Sequence, residues 1–159
     1  MPITLAPLPT VDRGALMALM NDPRVRRQLP LALGAFDEQA CEAFLSAKQR
    51  MWVEQGYGPT AFLLDGRFVG WGGLQPDGGE PDLGLVLHPD HWGRGPALCR
   101  RIIRDGFEQH GFTAIYALLP PTRPHTRGLG RLGFEACGQR VVDGVTFLRF
   151  RLLRQRWVQ

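Results

Sequence analysis

Apolar positions recur in two rhythms along this 159-residue chain, and the changes of rhythm mark its elements. Ile3 to Pro7 alternates as a short first strand. Apolar residues at 11, 15, 16, 19 and 20 then share one helical face, with Thr10 placed to cap the helix. Pro23 restarts a short helix through Arg27, and Pro30 to Gly34 reads as a loop. Asp37 caps a second long helix to about Glu54, with Ala40, Phe44, Ala47 and Met51 as its apolar stripe. Gly56 to Pro59 ends it. The period then drops to two. Thr60 to Leu64 and Arg67 to Leu74 are joined by Asp65-Gly66, a type I′ hairpin signal. A turn-rich connection, Pro76 to Pro81, leads to a strand over Asp82 to Leu87. A helix follows from about Gly93 to His110, then a strand from Ala114 to Leu118. A helix from about His125 to Leu132 precedes two last strands, Glu135 to Val142 and Val145 to Leu153, which turn at Asp143-Gly144. The order βααβββαβαββ predicts an α/β (α+β) single domain over residues 1–159. Its centre is a mixed sheet of about seven strands with helices on both faces.

One junction in this series carries candidate chemistry. The strand Leu83 to Leu87 ends at His88-Pro89, and Trp92-Gly93-Arg94-Gly95-Pro96-Ala97 opens the next helix. Orphan N–H groups and the positive end of the macrodipole lie at such a helix start and favour an anion. Glycines at 93 and 95 let backbone approach a phosphate, and Pro96 suits the first helical turn. No Gly-Lys-Ser/Thr follows, so this is not a Walker A loop. Leu98 takes the last glycine position of the dinucleotide fingerprint. On the loop alone, an ordinary strand-to-helix turn stays open as a reading.

The wider context resembles the GNAT superfamily of acetyltransferases, in particular its ribosomal-protein-alanine (RimJ/RimL-like) branch. The family's acyl-CoA motif, Arg/Gln-x-x-Gly-x-Gly/Ala, is matched by Trp92-x-x-Gly95-x-Ala97, with Trp in the first position as in "HPDYWGKGYA"-type strings. The opening LAPLPTVDRGALMALMNDPRVRRQLP and the late RGLGRLGFEACG resemble that branch in order and spacing. The resemblance implies acetyl-CoA as cosubstrate and a cleft where the fourth and fifth strands splay apart; no His, Asp or Glu spacing suggests a metal. Backbone of Leu85, Val86 and Leu87 would hold the pantetheine and thioester. Trp92, Gly93, Arg94, Gly95, Pro96, Ala97 and Leu98 would take the pyrophosphate. The family's Asn-x-x-Ser positions fall on Thr122 and His125, and its frequent catalytic Tyr falls on Leu129. Thr122 would then contact the cofactor, and His125 becomes the substitute acid for the leaving thiolate.

Acetyl transfer to an amine needs a base for the ammonium proton, a polarised carbonyl and a protonated leaving group. Asp82 stands where the branch commonly has Glu and is the candidate base; Glu80 is its neighbour. Trp52, Tyr57, Phe62 and Trp71 are candidate linings of an acceptor pocket, with core packing as the alternative. His88 and His91 flank a Pro-Asp turn and read as structural. Tyr116 on the fifth strand points either into the cleft or into the core.

Composition narrows the partners. The net charge is +4, and Lys48 is the only lysine. A basic domain suits a polyanionic cofactor. The arginines are scattered and no nucleic-acid motif is visible, which argues against a nucleic-acid partner. Cys41, Cys99 and Cys137 form no metal or disulfide pattern. Neither a signal peptide nor a membrane-spanning run is evident, so cytoplasmic residence is the expectation. The expected activity is acetyl transfer from acetyl-CoA to a primary amine, on a peptide N-terminus or a small metabolite, in a ternary complex. A non-catalytic acyl-CoA-binding domain and a basic RNA- or ribosome-associated module are the alternatives. Val145 to Leu153, if an edge strand, would pair two copies as a homodimer.

Overall fold

The computed structural model of the protein describes residues 2–30, 34–120 and 127–157. Seven strands form one sheet in the order β1-β2-β3-β4-β5-β7-β6. They are β1 (Thr4–Ala6), β2 (Thr60–Leu64), β3 (Arg67–Asp77), β4 (Glu80–Leu87), β5 (Ala114–Leu119), β6 (Glu135–Val142) and β7 (Val145–Leu153). The helices are α1 (Arg13–Asn21), α2 (Pro23–Arg26), α3 (Glu38–Gln55), α4 (Gly95–Glu108) and α5 (Arg127–Leu132). Only β4 and β5 run parallel. That is the crossover that α4 provides between them. Among the described residues no helix is long and apolar enough to cross a membrane.

Local chemistry accounts for the boundaries. The Asp37 carboxylate accepts the Ala40 amide and starts α3 as the sequence predicts. The first helix differs. Asp12, not Thr10, caps it by accepting from the Ala15 amide at 2.8 Å. Thr10 instead donates to the Pro7 carbonyl inside a 3₁₀ turn. Asp65-Gly66 and Asp143-Gly144 both take positive φ, as type I′ turns require. The β3–β4 connection is tighter than the prolines suggest. Pro76 and Pro81 lie opposite each other within the strands, and the chain turns at Gly78-Gly79. Gln75 and Asp82 are the next pair, so the prolines fall at a position where no amide needs to donate across the hairpin.

The two faces of the sheet are covered differently. On one, α4 buries Leu98, Ile102, Ile103 and Phe107 against Leu83, Ile115 and Leu152. The fit is close: a Cβ at Gly106 would come within 2.6 Å of the Leu74 side chain. On the other, α1 and α3 pack Leu16, Leu19, Cys41 and Leu45 against Ala61, Trp71 and Val86. The buried stripe of α3 is thus rotated from the predicted one. Cys41 and Leu45 are buried and Phe44 packs beside them, while Ala47 is exposed. The last strand is not an edge. β7 lies between β5 and β6, each of which pairs with it, so the expected pairing of two copies along Val145–Leu153 has no free strand to use.

Candidate functional site

The sheet comes apart along one seam. β3 and β4 pair over eight residues each, and β5 pairs with β7 along its whole length. β4 and β5 share a single register pair, Asp82 with Tyr116. Past that point the two parallel strands diverge toward the start of α4. The His88 amide donates to the Val69 carbonyl across β3 at 2.8 Å, which sets the parity of β4. Even-numbered backbone groups face β3, and those of Leu83, Leu85 and Leu87 face the gap. Val86 therefore does not offer backbone to the cleft as expected: its groups serve β3, and its side chain packs with Trp71. The Leu87 carbonyl accepts from Trp92 Nε1 at 2.8 Å. Leu85 and the Leu87 amide remain the groups that line the gap.

At the head of the gap, Gly93 and Arg94 end a 3₁₀ turn (Pro89–Arg94), and Gly95, Pro96, Ala97 and Leu98 form the first turn of α4. No side chain caps this helix start. Gly95 has ordinary helical φ, and Gly93 does not take positive φ. A Cβ at Gly93 would touch nothing within 4 Å, and one at Gly95 only Leu87 at 3.9 Å. Neither the backbone nor the packing of the protein demands these glycines. What they provide is bare backbone at a helix N-terminus, the surface a diphosphate uses. His88 Nδ1 accepts from the Asp90 amide, so this histidine is structural, as expected.

At the closed end of the seam, register brings five polar side chains into one row. Gln75, Asp82, Tyr116, Arg151 and Glu135 are successive partners across β3, β4, β5, β7 and β6. All lie on the face opposite α4. Around the row, Arg140 forms a two-pronged ion pair with Asp77, and Arg149 pairs with Glu80. The Arg149 guanidinium lies 4.1 Å from the Tyr116 ring centroid, lying over Tyr116 on its way to Glu80. Among the described residues Asp82 has no hydrogen-bonded cation of its own. Burial first, and the Asp77 carboxylate second, push its carboxyl up to about 7, against the pull of Arg140 and Arg149. The cavity these residues enclose is ≈ 10 Å³, room for about one water. A larger groove of ≈ 300 Å³ lies beside them, between α3 and the β3–β4 turn.

Sequence reasoning had located only part of this group. Asp82 and Glu80 are at the seam, and Tyr116 faces the cleft side rather than the core. Thr122 and His125 lie outside the described residues. Of the four aromatics, only Trp71 lies on this face, 4.8 Å from the Phe44 ring. Phe62 and Tyr57 belong to the α4 core, and Trp52 is tied to the Pro59 carbonyl. Ala61, not Phe62, is the cross-strand partner of Trp71, so Phe62 and Trp71 take opposite faces of the sheet. Lys48, Gln75, Arg140, Arg149 and Arg151 were not foreseen. The one hint was the run Arg149-Phe150-Arg151, which places charges at alternate positions of an otherwise apolar strand. Among the described residues no cluster of His, Cys, Asp or Glu has a metal-binding arrangement.

Solved structures share this architecture. A GNAT-family acetyltransferase from Bordetella pertussis superposes with a TM-score of 0.75 at 22% identity, over 94% of this chain and 95% of that one. An aminoglycoside acetyltransferase, AAC(6')-Ib, in complex with coenzyme A gives 0.76 at 17% identity, over 98% and 96%. A spermidine N-acetyltransferase chimera from Vibrio cholerae and human sequence gives 0.69 at 15%, over 98% and 97%. No curated protein sequence matches the chain. The sequence profile of the acetyltransferase (GNAT) domain matches residues 3–135, which is most of the chain. The splayed strands, the bare helix start and this match agree: the chain belongs to the GNAT acetyltransferase family.

Proposed function

We propose that the protein transfers an acetyl group from acetyl-CoA to a primary amine, with Asp82 as the base. The observation that carries this reading is the position of Asp82. It sits where β4 and β5 part, at the closed end of the gap, with its carboxyl raised to about 7. A base of that strength is divided between its two forms near neutral pH, where proton transfer from an ammonium is most efficient. Acetyl-CoA supplies the acyl thioester. The N-terminal turn of α4, from Gly93 to Leu98, would bind the diphosphate through backbone. The backbone of Leu85 and the Leu87 amide would hold the pantetheine arm as a strand-like partner and polarise the thioester carbonyl. Asp82 takes the proton of the acceptor ammonium, the freed nitrogen pair forms the amide bond, and the carbon–sulfur bond breaks. We assign protonation of the departing thiolate to His125 and a cofactor contact to Thr122, both by family position. The similarity to the RimJ/RimL-like branch, carried by Trp92 and the N-terminal segment, is part of the same proposal.

The test has two stages. Acetyl-CoA or CoA at a hundred times its Kd should stabilise the fold by about 2.7 kcal/mol, raising Tm by several degrees, while NAD should not. Thiol release with a panel of amines should then require both an amine and Asp82. No shift with any CoA species would remove the cofactor assignment. A shift without transfer to any amine would favour a non-catalytic acyl-CoA-binding domain. That reading is supported by Leu129 and Thr122 at positions where the family often carries a tyrosine and an asparagine.

A further inference from the structure

Resting on that acyl-transfer reading, we propose that the acceptor is an amine carrying a carboxylate close to its amino group, and that Lys48 binds this carboxylate. Lys48 lies on α3 and faces the sheet. Its Nζ donates to Gln75 Oε1 at 2.6 Å and lies 5.3 Å and 5.2 Å from the ring centroids of Phe44 and Trp71. Gln75 is the cross-strand partner of Asp82. The ammonium and the candidate base therefore stand on one face, separated by a single strand pair. An amino group at Asp82 and a carboxylate at Lys48 would bracket that pair.

The charges on this face explain why the cation is available. Asp77 is matched by Arg140, Glu80 by Arg149 and Glu135 by Arg156. Among the described residues no carboxylate lies within ion-pair distance of Lys48. Burial lowers its pKa, so holding it charged costs free energy that an incoming anion would offset. An ammonium has three donors, and Gln75 engages one. Arg151 adds a second surplus: its buried Nε has no hydrogen-bond partner among the described residues.

The same inventory disfavours polyamines and aminoglycosides. Such acceptors bring several ammonium groups, and Asp77, Glu80 and Glu135 on the sheet already have arginine partners. The ≈ 300 Å³ groove supplies room for the rest of an acceptor. Ala47 and Met51 line it on either side of Lys48 along α3, and Pro76 follows Gln75 along β3. Arg50 and Glu54 give its rim one charge of each sign.

The experiment compares amino acids with their decarboxylated amines and their amides as acceptors, with spermidine and kanamycin as polycationic controls. The wild type should favour the carboxylate by about ten- to a hundredfold in kcat/KM, the span of one charge-assisted hydrogen bond. Lys48→Gln should collapse that ratio toward one, and Lys48→Arg should restore part of it. An unchanged ratio in Lys48→Gln, or a polyamine as best acceptor, overturns the proposal. A second readout does not depend on turnover. The chain has one lysine, so labelling lysine with ¹³C gives one side-chain signal set. N-acetylglycine with CoA should shift it, and N-acetylglycinamide should not. That shift without acetylation of any amine would keep the carboxylate site and sink the transferase reading. Equal responses to both probes would sink the carboxylate site alone.

Discussion

The two faces of β4, β5 and β7 are made from alternate residues of the same strands, yet they have opposite characters. Toward α4 they present Leu83, Ile115, Ala117 and Leu152, all nearly inaccessible, in one continuous apolar layer. Away from α4 they present Asp82, Tyr116, Arg149 and Arg151, partly open, with Arg149 lying over Tyr116 and ion-paired to Glu80. The first face stabilises and tolerates little change of volume. The second holds a carboxyl at about 7, whose ionisation costs stability and which the proposed mechanism uses for proton transfer. A period of two thus lets three strands serve both purposes without either intruding on the other.

Substitutions should separate the faces. The largest effect is expected at Asp82. Asp82→Asn should lower the transfer rate by about 10²–10⁴, the usual contribution of a positioned base. Wild-type activity should rise with pH through about 7 and level off as Asp82 ionises, a step the variant lacks. Stability should move the other way. The folded carboxyl holds its proton up to about 7 and the unfolded one loses it near 3.8, so wild-type stability falls as pH rises between those values. At pH 8 the Asn variant should be more stable by roughly 1–2 kcal/mol, read by denaturant titration. On the other face, Ile103→Ala should cost about 2–5 kcal/mol and leave kcat of the folded fraction unchanged. Gly95→Ala should weaken CoA binding in calorimetry with Tm nearly unmoved, since an added Cβ meets only Leu87 at 3.9 Å. Trp92→Phe should have the smallest effect. It removes the donor to the Leu87 carbonyl, worth about 0.5–1.5 kcal/mol, and should appear as a modest rise in the Kd for CoA. A loss of activity in Ile103→Ala beyond its unfolded fraction would show that the faces are coupled.

The strands and turns were legible because their signals are local. Asp65-Gly66 and Asp143-Gly144 fix two hairpins by φ alone, and Asp37 fixes the start of α3. The strand-to-helix junction was legible for the same reason, since Gly93 to Leu98 is one contiguous segment. The polar face beside the seam was not. Arg149 reaches Glu80 only because β7 inserts between β5 and β6, an arrangement decided by the whole sheet. Lys48 meets Gln75 across 27 residues, and the meeting depends on how α3 is rotated. A one-position error in that rotation, as in the stripe drawn through Ala47 and Met51, moves the lysine to solvent.

One consequence follows from how little backbone crosses the seam. The strands from β1 to β4 pair in series, as do β5, β7 and β6, each set with one register shift, and one register pair joins the two sets. Beyond the Arg140–Asp77 and Arg149–Glu80 ion pairs at the closed end, what binds the halves is the apolar underside, where α4 touches β3, β4 and β5. Hydrogen bonds are directional and break when strands shift; apolar contacts are not and slide. The joint is therefore compliant where an ordinary sheet would be stiff. Small changes in the angle between the halves break no ladder, so the gap can widen or narrow without unfolding either wing.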